Sequence, residues 1–336
     1  MSTLAIRSFR DEDYAAFAGL HNAVYPEFGQ TEEAFRFDDK LRPEKCQHRR
    51  WIAERDGRVV GYGQYDQYPH VWHPRKFALE IAVSADCLVQ GVGSALYRTV
   101  VEALRPLDPL KVDMWAREDM SCRVQFLANR GFRENYRLWT SELDLQAFDP
   151  ARFSQAIARV EQQGVEITTH AALGSSTESM SKLFDLQLAV REDVPIPTGE
   201  ERQPLVYEEW LENHNHPTRV DEGYFVAVAD GRYVGVSSLW QSPEADTIRT
   251  GLTAVRREYR RRGIALALKV RALSFAKAAG YRRTVTDNAS INQPMLAINH
   301  QLGFARHPAW IHYVCTQVYA GAQRPRPQNE RLSALR

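Results

Sequence analysis

The residues best suited to chemistry lie in one stretch, Thr253-Ala-Val-Arg-Arg-Glu-Tyr-Arg-Arg-Arg-Gly-Ile-Ala-Leu-Ala-Leu-Lys269, where an apolar strand-like run passes through an arginine-rich turn into a helical pattern. The first turn of a helix presents backbone N–H groups without intrahelical partners and the positive end of the helix dipole. A glycine there lets an anion approach the backbone closely. Gly263 stands at that point, and Arg256, Arg257, Arg260, Arg261 and Arg262 add guanidinium groups suited to a multiply phosphorylated ligand. Read alone, an arginine run fits a solvated face or a nucleic-acid patch. Its place between a strand and a helix favours the phosphate reading. The Walker-type GxxxxGK[ST] loop and the GxGxxG dinucleotide turn are both absent from the sequence.

The elements that must position this turn occur twice. Trp51-Ile-Ala-Glu-Arg-Asp-Gly-Arg-Val-Val-Gly61 lies over Phe225-Val-Ala-Val-Ala-Asp-Gly-Arg-Tyr-Val-Gly235 at an offset of 174. Gly91-Val-Gly93 lies over Gly263-Ile-Ala265, and Arg130-Gly-Phe132 over Leu302-Gly-Phe304, both at an offset of 172. At the front, Ala5-Ile-Arg7 falls on Glu166-Ile-Thr168, so the second copy carries extra residues, placed around Arg191 to Glu222. Each copy reads as strand, amphipathic helix, a second helix, an Asp-Gly hairpin, a strand, a glycine turn opening a long helix, then strand, helix and a final strand pair. This is an α/β unit built on a mixed sheet and present twice. The units are expected at residues 1–146 and 164–320, joined by a linker helix within 147–163 and followed by a polar, proline-rich tail over 321–336.

Composition excludes several alternatives. The 336 residues suit two domains, and 44% hydrophobic with 25% charged residues is the balance of a globular chain. Lysine plus arginine (43) nearly equals aspartate plus glutamate (42), which gives no global pull toward nucleic acid. Cys46, Cys87, Cys122 and Cys315 form no CxxC pair, so a reducing, cytoplasmic setting is expected. No apolar run is long enough to span a membrane. The pairs His70/His73 and His214/His216 lack accompanying cysteines or carboxylates, and no metal site is expected.

The Arg260-Arg-Arg-Gly-Ile-Ala265 turn matches a [Q/R]-x-x-G-x-[G/A] signature. With Leu302-Gly-Phe304 and the duplication, the chain resembles the GNAT superfamily of acyl-coenzyme A dependent N-acyltransferases, in its tandem form. The resemblance covers nearly the whole chain. It implies acetyl-CoA as acyl donor, and Trp210, Asp221 and Glu222 in the loop region of the second copy suit a small-molecule amine or amino-sugar as acceptor. It also implies a V-shaped parting of the strands that end at Val255 and Thr286. Backbone groups of Thr253, Ala254 and Val255 would meet the pantetheine arm, and the N–H groups of Arg261, Arg262, Gly263, Ile264 and Ala265 the pyrophosphate. Asn288, Asn292 and Asn299 would line the far side, although Asn292 before Pro294 also reads as a helix cap. The first copy offers Val83, Gly91 and Gly93 at the matching positions, but Leu88 stands where the family has Arg or Gln, so the second copy is preferred as the coenzyme site.

The acid and the base are divided between the copies. Many relatives carry a tyrosine four residues before the glycine of LGF; this chain has Asn299 in copy two and Leu127 in copy one, and Tyr313 is a substitute candidate for the acid. Glu80 takes the place of a catalytic carboxylate in copy one, where copy two has Leu252, so the base comes either from elsewhere, such as Glu222, His214 or His216, or from catalysis in the first copy. The readings are an N-acetyltransferase, a non-catalytic acyl-CoA binder and a nucleic-acid binder acting through the arginine run. Two fused copies suggest a monomer.

Overall fold

The computed structural model describes residues 3–318, so the expected tail lies outside the described residues. The first repeat runs β1 (Leu4–Ser8), α1 (Tyr14–Val24), α2 (Glu32–Leu41), β2 (Arg49–Arg55), β3 (Arg58–Asp66), β4 (Lys76–Val83), α3 (Val92–Leu104), β5 (Lys111–Arg117), α4 (Ser121–Ala128) and β6 (Arg133–Asp144). A connecting helix α5 (Ser154–Glu161) leads to β7 (Val165–Thr169), α6 (His170–Leu173), α7 (Thr177–Arg191), α8 (Tyr207–His214), β8 (Phe225–Ala229) and β9 (Arg232–Gln241). The second repeat continues with β10 (Thr247–Val255), α9 (Ile264–Ala278), β11 (Arg283–Ala289), α10 (Gln293–Leu302), β12 (Ala305–Arg306) and β13 (Trp310–Cys315).

Local chemistry sets these elements. Asp56-Gly57 and Asp230-Gly231 all have positive φ (51° and 76°; 50° and 72°), the turn whose twist matches a hairpin. Thr31 caps α2 by accepting from the Ala34 N–H, and Ser176 caps α7 by accepting from the Ser179 N–H. One face of the sheet is covered by α3, α4, α9 and α10, and the opposite face by α1, α2, α7 and α8, which divides the apolar core into four clusters.

The strands form one continuous sheet in the order β1-β2-β3-β4-β5-β13-β6-β11-β10-β9-β8-β7, with β12 also on β6. The expected final strand pair within each copy is therefore not what forms. The span Arg133-Glu-Asn-Tyr-Arg-Leu-Trp-Thr-Ser-Glu-Leu-Asp144 holds no glycine or proline at which to fold back, so β6 runs straight from one unit into the other. Its first half pairs with β13, and its second half, Leu138 to Asp144, pairs with β11. In return Pro308 interrupts the second repeat after β12, and β13 crosses to lie between β5 and β6. Each unit thus receives a strand from the other repeat. Trp310 of β13 is fully buried in the first unit, with its ring 5.6 Å from Tyr25 and 5.3 Å from Phe28.

In the second unit Lys269 is buried at 1% exposure, its ammonium 5.3 Å from the centre of the Phe304 ring, and burial pushes its pKa down to about 7. The matching residue of the first unit is Tyr97.

Two stability measurements follow from this packing. Trp310→Ala should cost about 3–5 kcal/mol in urea denaturation and destabilise both units in one cooperative transition, since the strand belongs to one repeat and the core to the other. Lys269 protonates more readily in the unfolded chain than in the folded one, so below its unfolded pKa the folded state is penalised. That penalty shrinks by about 1.4 kcal/mol per pH unit as pH rises from 7 toward 10. Lys269→Met should accordingly stabilise the protein at pH 7.5, and the gain over wild type should narrow at pH 9.5.

Candidate functional site

The parallel strands of each unit part after three residue pairs. β4 and β5 are paired from Lys76/Lys111 to Ala78/Asp113, and β10 and β11 from Thr247/Arg283 to Arg249/Val285. Beyond these points both arms continue as a V. The arm formed by β4 or β10 leads to a loop of the same shape in each unit: Val89 and Gly91 have φ of 60° and 87°, and Arg261 and Gly263 have φ of 60° and 85°. Alternation of left- and right-handed residues turns successive N–H groups toward one concavity, which is an anion nest. The first intrahelical bond of α9 runs from the Ala267 N–H to the Gly263 carbonyl, and its equivalent in α3 from Ala95 to Gly91. The N–H groups of the turn before each bond have no intrahelical acceptor.

The arms differ. β3 and β4 keep an unbroken register in which Gln64 stands opposite Glu80. In β10 the register slips between Thr250 and Thr253, so that Gly251 and Leu252 together face Ser238, the counterpart of Gln64. Such a bulge leaves one residue outside the ladder. A Cβ on Gly251 would lie 2.2 Å from Trp240 Nε1, which accounts for glycine at that point. The first unit has a carboxylate where the second has a bulge. Glu80 accepts from the Tyr62 hydroxyl and from Gln64 Nε2 (3.2 Å), with His21 Nε2 3.7 Å away. Burial and the adjoining carboxylate hold the Tyr62 hydroxyl well above its ordinary pKa, so it stays protonated and donates.

The interiors of the two Vs differ more sharply. In the first, Arg123 of α4 donates from Nε to the Trp115 carbonyl (2.8 Å) and from Nη1 to the Ile81 carbonyl (3.1 Å), tying one arm to the other. Arg130 stacks on Phe126 at 3.5 Å and reaches Ser94 Oγ at 3.0 Å, and Phe126 lies 3.8 Å from where a Cβ of Gly93 would be, so α4 closes on the first turn of α3. At the offset of 172, Arg123 becomes Met295, and Ile81 and Trp115 become Thr253 and Asp287. Among the described residues no side chain bonds to the carbonyls of Thr253 or Asp287. The buried apolar residues Ala116 and Leu127 become Asn288 and Asn299. Asn299 Nδ2 donates to Asn288 Oδ1 (2.6 Å), while Asn299 Oδ1, in a residue 2% exposed, has no donor.

The other residues singled out from the sequence fall as follows. Thr253 Oγ1 is 2.9 Å from Ser237 Oγ, Ala254 is half-buried, and the Val255 carbonyl accepts from Arg260 Nε (2.9 Å). Of the five arginines, buried Arg256 binds Asp185 and the Tyr233 carbonyl. Arg257 and Arg260 share Asp193, whose carboxyl they hold down to about 2, and Arg262 donates to the Glu258 carbonyl (3.0 Å). Arg261 is exposed and makes no side-chain bond among the described residues. The expectation of five phosphate-facing guanidinium groups thus reduces to one unengaged side chain. Asn292 occupies the N-cap of α10, but its side chain makes no capping bond. Val83 packs partly into the core beside Gly93. Tyr313 pairs with Met114 and Glu134 of the first unit, because the strand exchange carries it away from the second. His214 is buried against Trp210, His170 and Tyr224, and burial lowers its pKa to about 3, so it is neutral.

Sequence reasoning missed a cleft of about 350 Å³ between the units, whose walls include Phe28, Gln30 and Asp38 of the first repeat and His216, Trp240 and Arg249 of the second. Beside it Arg249 Nη2 is 2.5 Å from Asp287 Oδ2, and Thr140 Oγ1 donates to Asp287 Oδ1 (2.7 Å). The repeat offset would have marked Asp287 as the counterpart of Trp115, whereas the loop carrying Phe28 reaches the second unit only through the tertiary fold. The extra residues of the second repeat reach the other way. Glu200 binds Lys76 and Lys111, and Gln203 bonds His70 and Trp72 of the first unit.

Comparison with known proteins agrees with this duplicated geometry. The model of the acetyltransferase (GNAT) family matches residues 14–132 and again residues 185–304. No curated protein matches the chain. Among solved structures, the tandem GNAT protein from the clavulanic acid biosynthesis pathway superposes with a TM-score of 0.72 at 19% identity, covering 93% of this chain and 98% of that one. A GCN5-related N-acetyltransferase from Sphaerobacter thermophilus gives 0.67 at 17% identity, over 93% and 95%. The glucosamine N-acetyltransferase region of a fungal multi-domain β-N-acetylglucosaminidase gives 0.66 at 14%, over 94% of this chain and 38% of that one. At these identities the likeness is one of fold. Two family matches over two V-and-nest units, fused through exchanged strands, establish that the chain belongs to the acetyltransferase (GNAT) family as a tandem, acyl-CoA dependent acyltransferase.

Proposed function

We propose that the chain transfers an acetyl group from acetyl-CoA to a primary amine of a small molecule, by direct attack in a ternary complex, and that the coenzyme sits in the second unit. The observation that carries this choice is Arg123. In the first unit its guanidinium ties the Ile81 and Trp115 carbonyls together across the V, the space a pantetheine arm would need. In the second unit the same position is Met295, which has no N–H or O–H to donate there.

The residues of the second unit fit the donor. The nest from Arg261 to Ala265, with the unengaged charge of Arg261, suits a pyrophosphate. The backbone of Thr253 to Val255, with Asn288, Asn292 and Asn299, suits the amide-rich pantetheine arm, and the unpartnered Asn299 Oδ1 would accept one of its N–H groups. Acetyl-CoA supplies a thioester whose carbonyl can be polarised by a backbone N–H, and the residue that the β10 bulge leaves outside the ladder would offer one. Asn299 can hydrogen-bond a thiolate but cannot give up a proton to it. Val83, Gly91 and Gly93 preserve the same frame in the first unit, where its closure argues for a structural use. We also read the chain as a cytoplasmic monomer. Its four cysteines are free, and the strand exchange is completed within one chain.

A second reading places catalysis in the first unit with Glu80 as base, and the hydrogen bonds from Tyr62 and Gln64 that orient its carboxylate favour it. That reading requires Arg123 to leave the V.

Titration calorimetry with acetyl-CoA separates the two. Matched left-handed loop positions allow a fair comparison: Arg261→Glu should weaken binding at least tenfold, about 1.4 kcal/mol, and Val89→Glu should leave it within twofold, with one site per chain. The reverse pattern would move the coenzyme to the first unit.

A further inference from the structure

The second unit lacks the carboxylate that the first carries on β4, yet it carries another on the opposite arm of its V. Asp287 stands on β11, two residues beyond the last β10/β11 pair, where the first unit has Trp115. Trp115 packs on the face covered by α1 and α2, the face to which Glu80 also turns; Asp287 is bound to Arg249, which lines the cleft between the units. Trp240 lines the same cleft and lies against the bulge at Gly251, so the cleft opens beside the part of β10 that would hold the thioester.

We propose, building on the second-unit reading above, that this cleft receives the acceptor amine and that Asp287, held by Arg249 of β10 and Thr140 of β6, is the base that takes its proton. The charged and polar groups facing Asp287 are Arg249 from β10, Thr140 from β6, and Glu27 from the loop after α1. Glu27 is itself bound to Arg117 of β5. Gln30 Oε1 in the cleft wall is buried without a donor, an acceptor for a ligand rich in N–H or O–H groups. Burial, reinforced by the like charge of Glu27 and outweighing the pull of Arg249, raises the Asp287 carboxyl above its ordinary range and makes it a better base.

The cleft lies at the small end of ligand pockets, which suits one ring and not a polymer. Two aromatic side chains, Phe28 and Trp240, stand among hydrogen-bonding residues, a lining suited to a hydroxylated primary amine of amino-sugar size. In the step itself the ammonium gives one proton to Asp287 and the freed nitrogen forms a bond to the thioester carbonyl carbon. The carbon–sulfur bond breaks, and the second proton of the nitrogen ends on the thiolate. The products are the amide and the free thiol.

The experiment measures thiol release from acetyl-CoA against pH for the full chain, with D-glucosamine as the probe acceptor and with tyramine and putrescine as the apolar-ring and polycationic comparisons. Asp287→Asn should lower kcat at least a hundredfold while acetyl-CoA affinity stays within threefold. Asp287→Asn turnover within threefold of wild type, with Arg261→Glu inactive, overturns the base assignment and leaves the second-unit reading standing. Preference for tyramine or putrescine overturns the acceptor class. Acetyl-CoA binding without thiol release to any of the three amines rejects the acceptor reading and this inference together.

Discussion

The parting of two parallel strands after three residue pairs is the constraint on which the rest of the structure depends. Where β4 leaves β5 and β10 leaves β11, backbone groups that a sheet would pair are left facing a gap. Buried backbone groups do not remain unpaired without cost, so each gap must be filled by protein, water or ligand. The first unit fills it from within, through Arg123 on the Ile81 and Trp115 carbonyls. The second unit replaces that arginine by Met295 and lines the gap with amides, leaving Asn299 Oδ1 unpartnered. One fold thus arrives at two states, a V bridged by its own side chain and one that leaves a buried amide oxygen without a donor.

The strand exchange explains why the closed unit is retained. β13 completes the first unit and the second half of β6 completes the second, so neither repeat holds all the strands of its own sheet. Trp310, from the end of the chain, fills the first unit's core beside Tyr25 and Phe28. The loop carrying Phe28 then reaches the second unit, where Arg249 lies 5.4 Å from the Phe28 ring and His216 pairs with Asp38. The first unit, whose V is bridged by Arg123, still supplies half the wall of the cleft, and its packing fixes how that wall stands against the V of its neighbour.

Most of the frame was legible because it is written in local signals. The Asp-Gly turns, the two glycine turns and the LGF-type helix ends gave the repeat, and the helix Tyr14–Val24 and the strand Thr247–Val255 fall where the pattern of the sequence puts them. The site was legible at the nest, which is a backbone feature, and less so in the side chains around it. Arginines at positions 257 and 260 look free in sequence, but Asp193, over sixty residues away, engages both. Tyr313 reads as a neighbour of Asn299 until the crossing at Pro308 takes it into the other unit. The bulge was hidden for a different reason. One extra residue changes the offset between the repeats from 171 to 172 within a single strand, and an alignment anchored on glycines absorbs it without trace.

That extra residue also explains why the carboxylate changed arms. On β4 a single residue, Glu80, stands opposite Gln64, so its side chain has a defined facing and two hydrogen-bond donors to hold it. On β10 two residues share that place, and the one against Trp240 has room for no side chain at all. A bulge and a carboxylate fixed at the same position are therefore incompatible on one strand. Under the proposed second-unit reading, an acidic group serving that V comes from the other arm. Asp287 on β11, bound by Arg249 and Thr140, is the carboxylate that stands there.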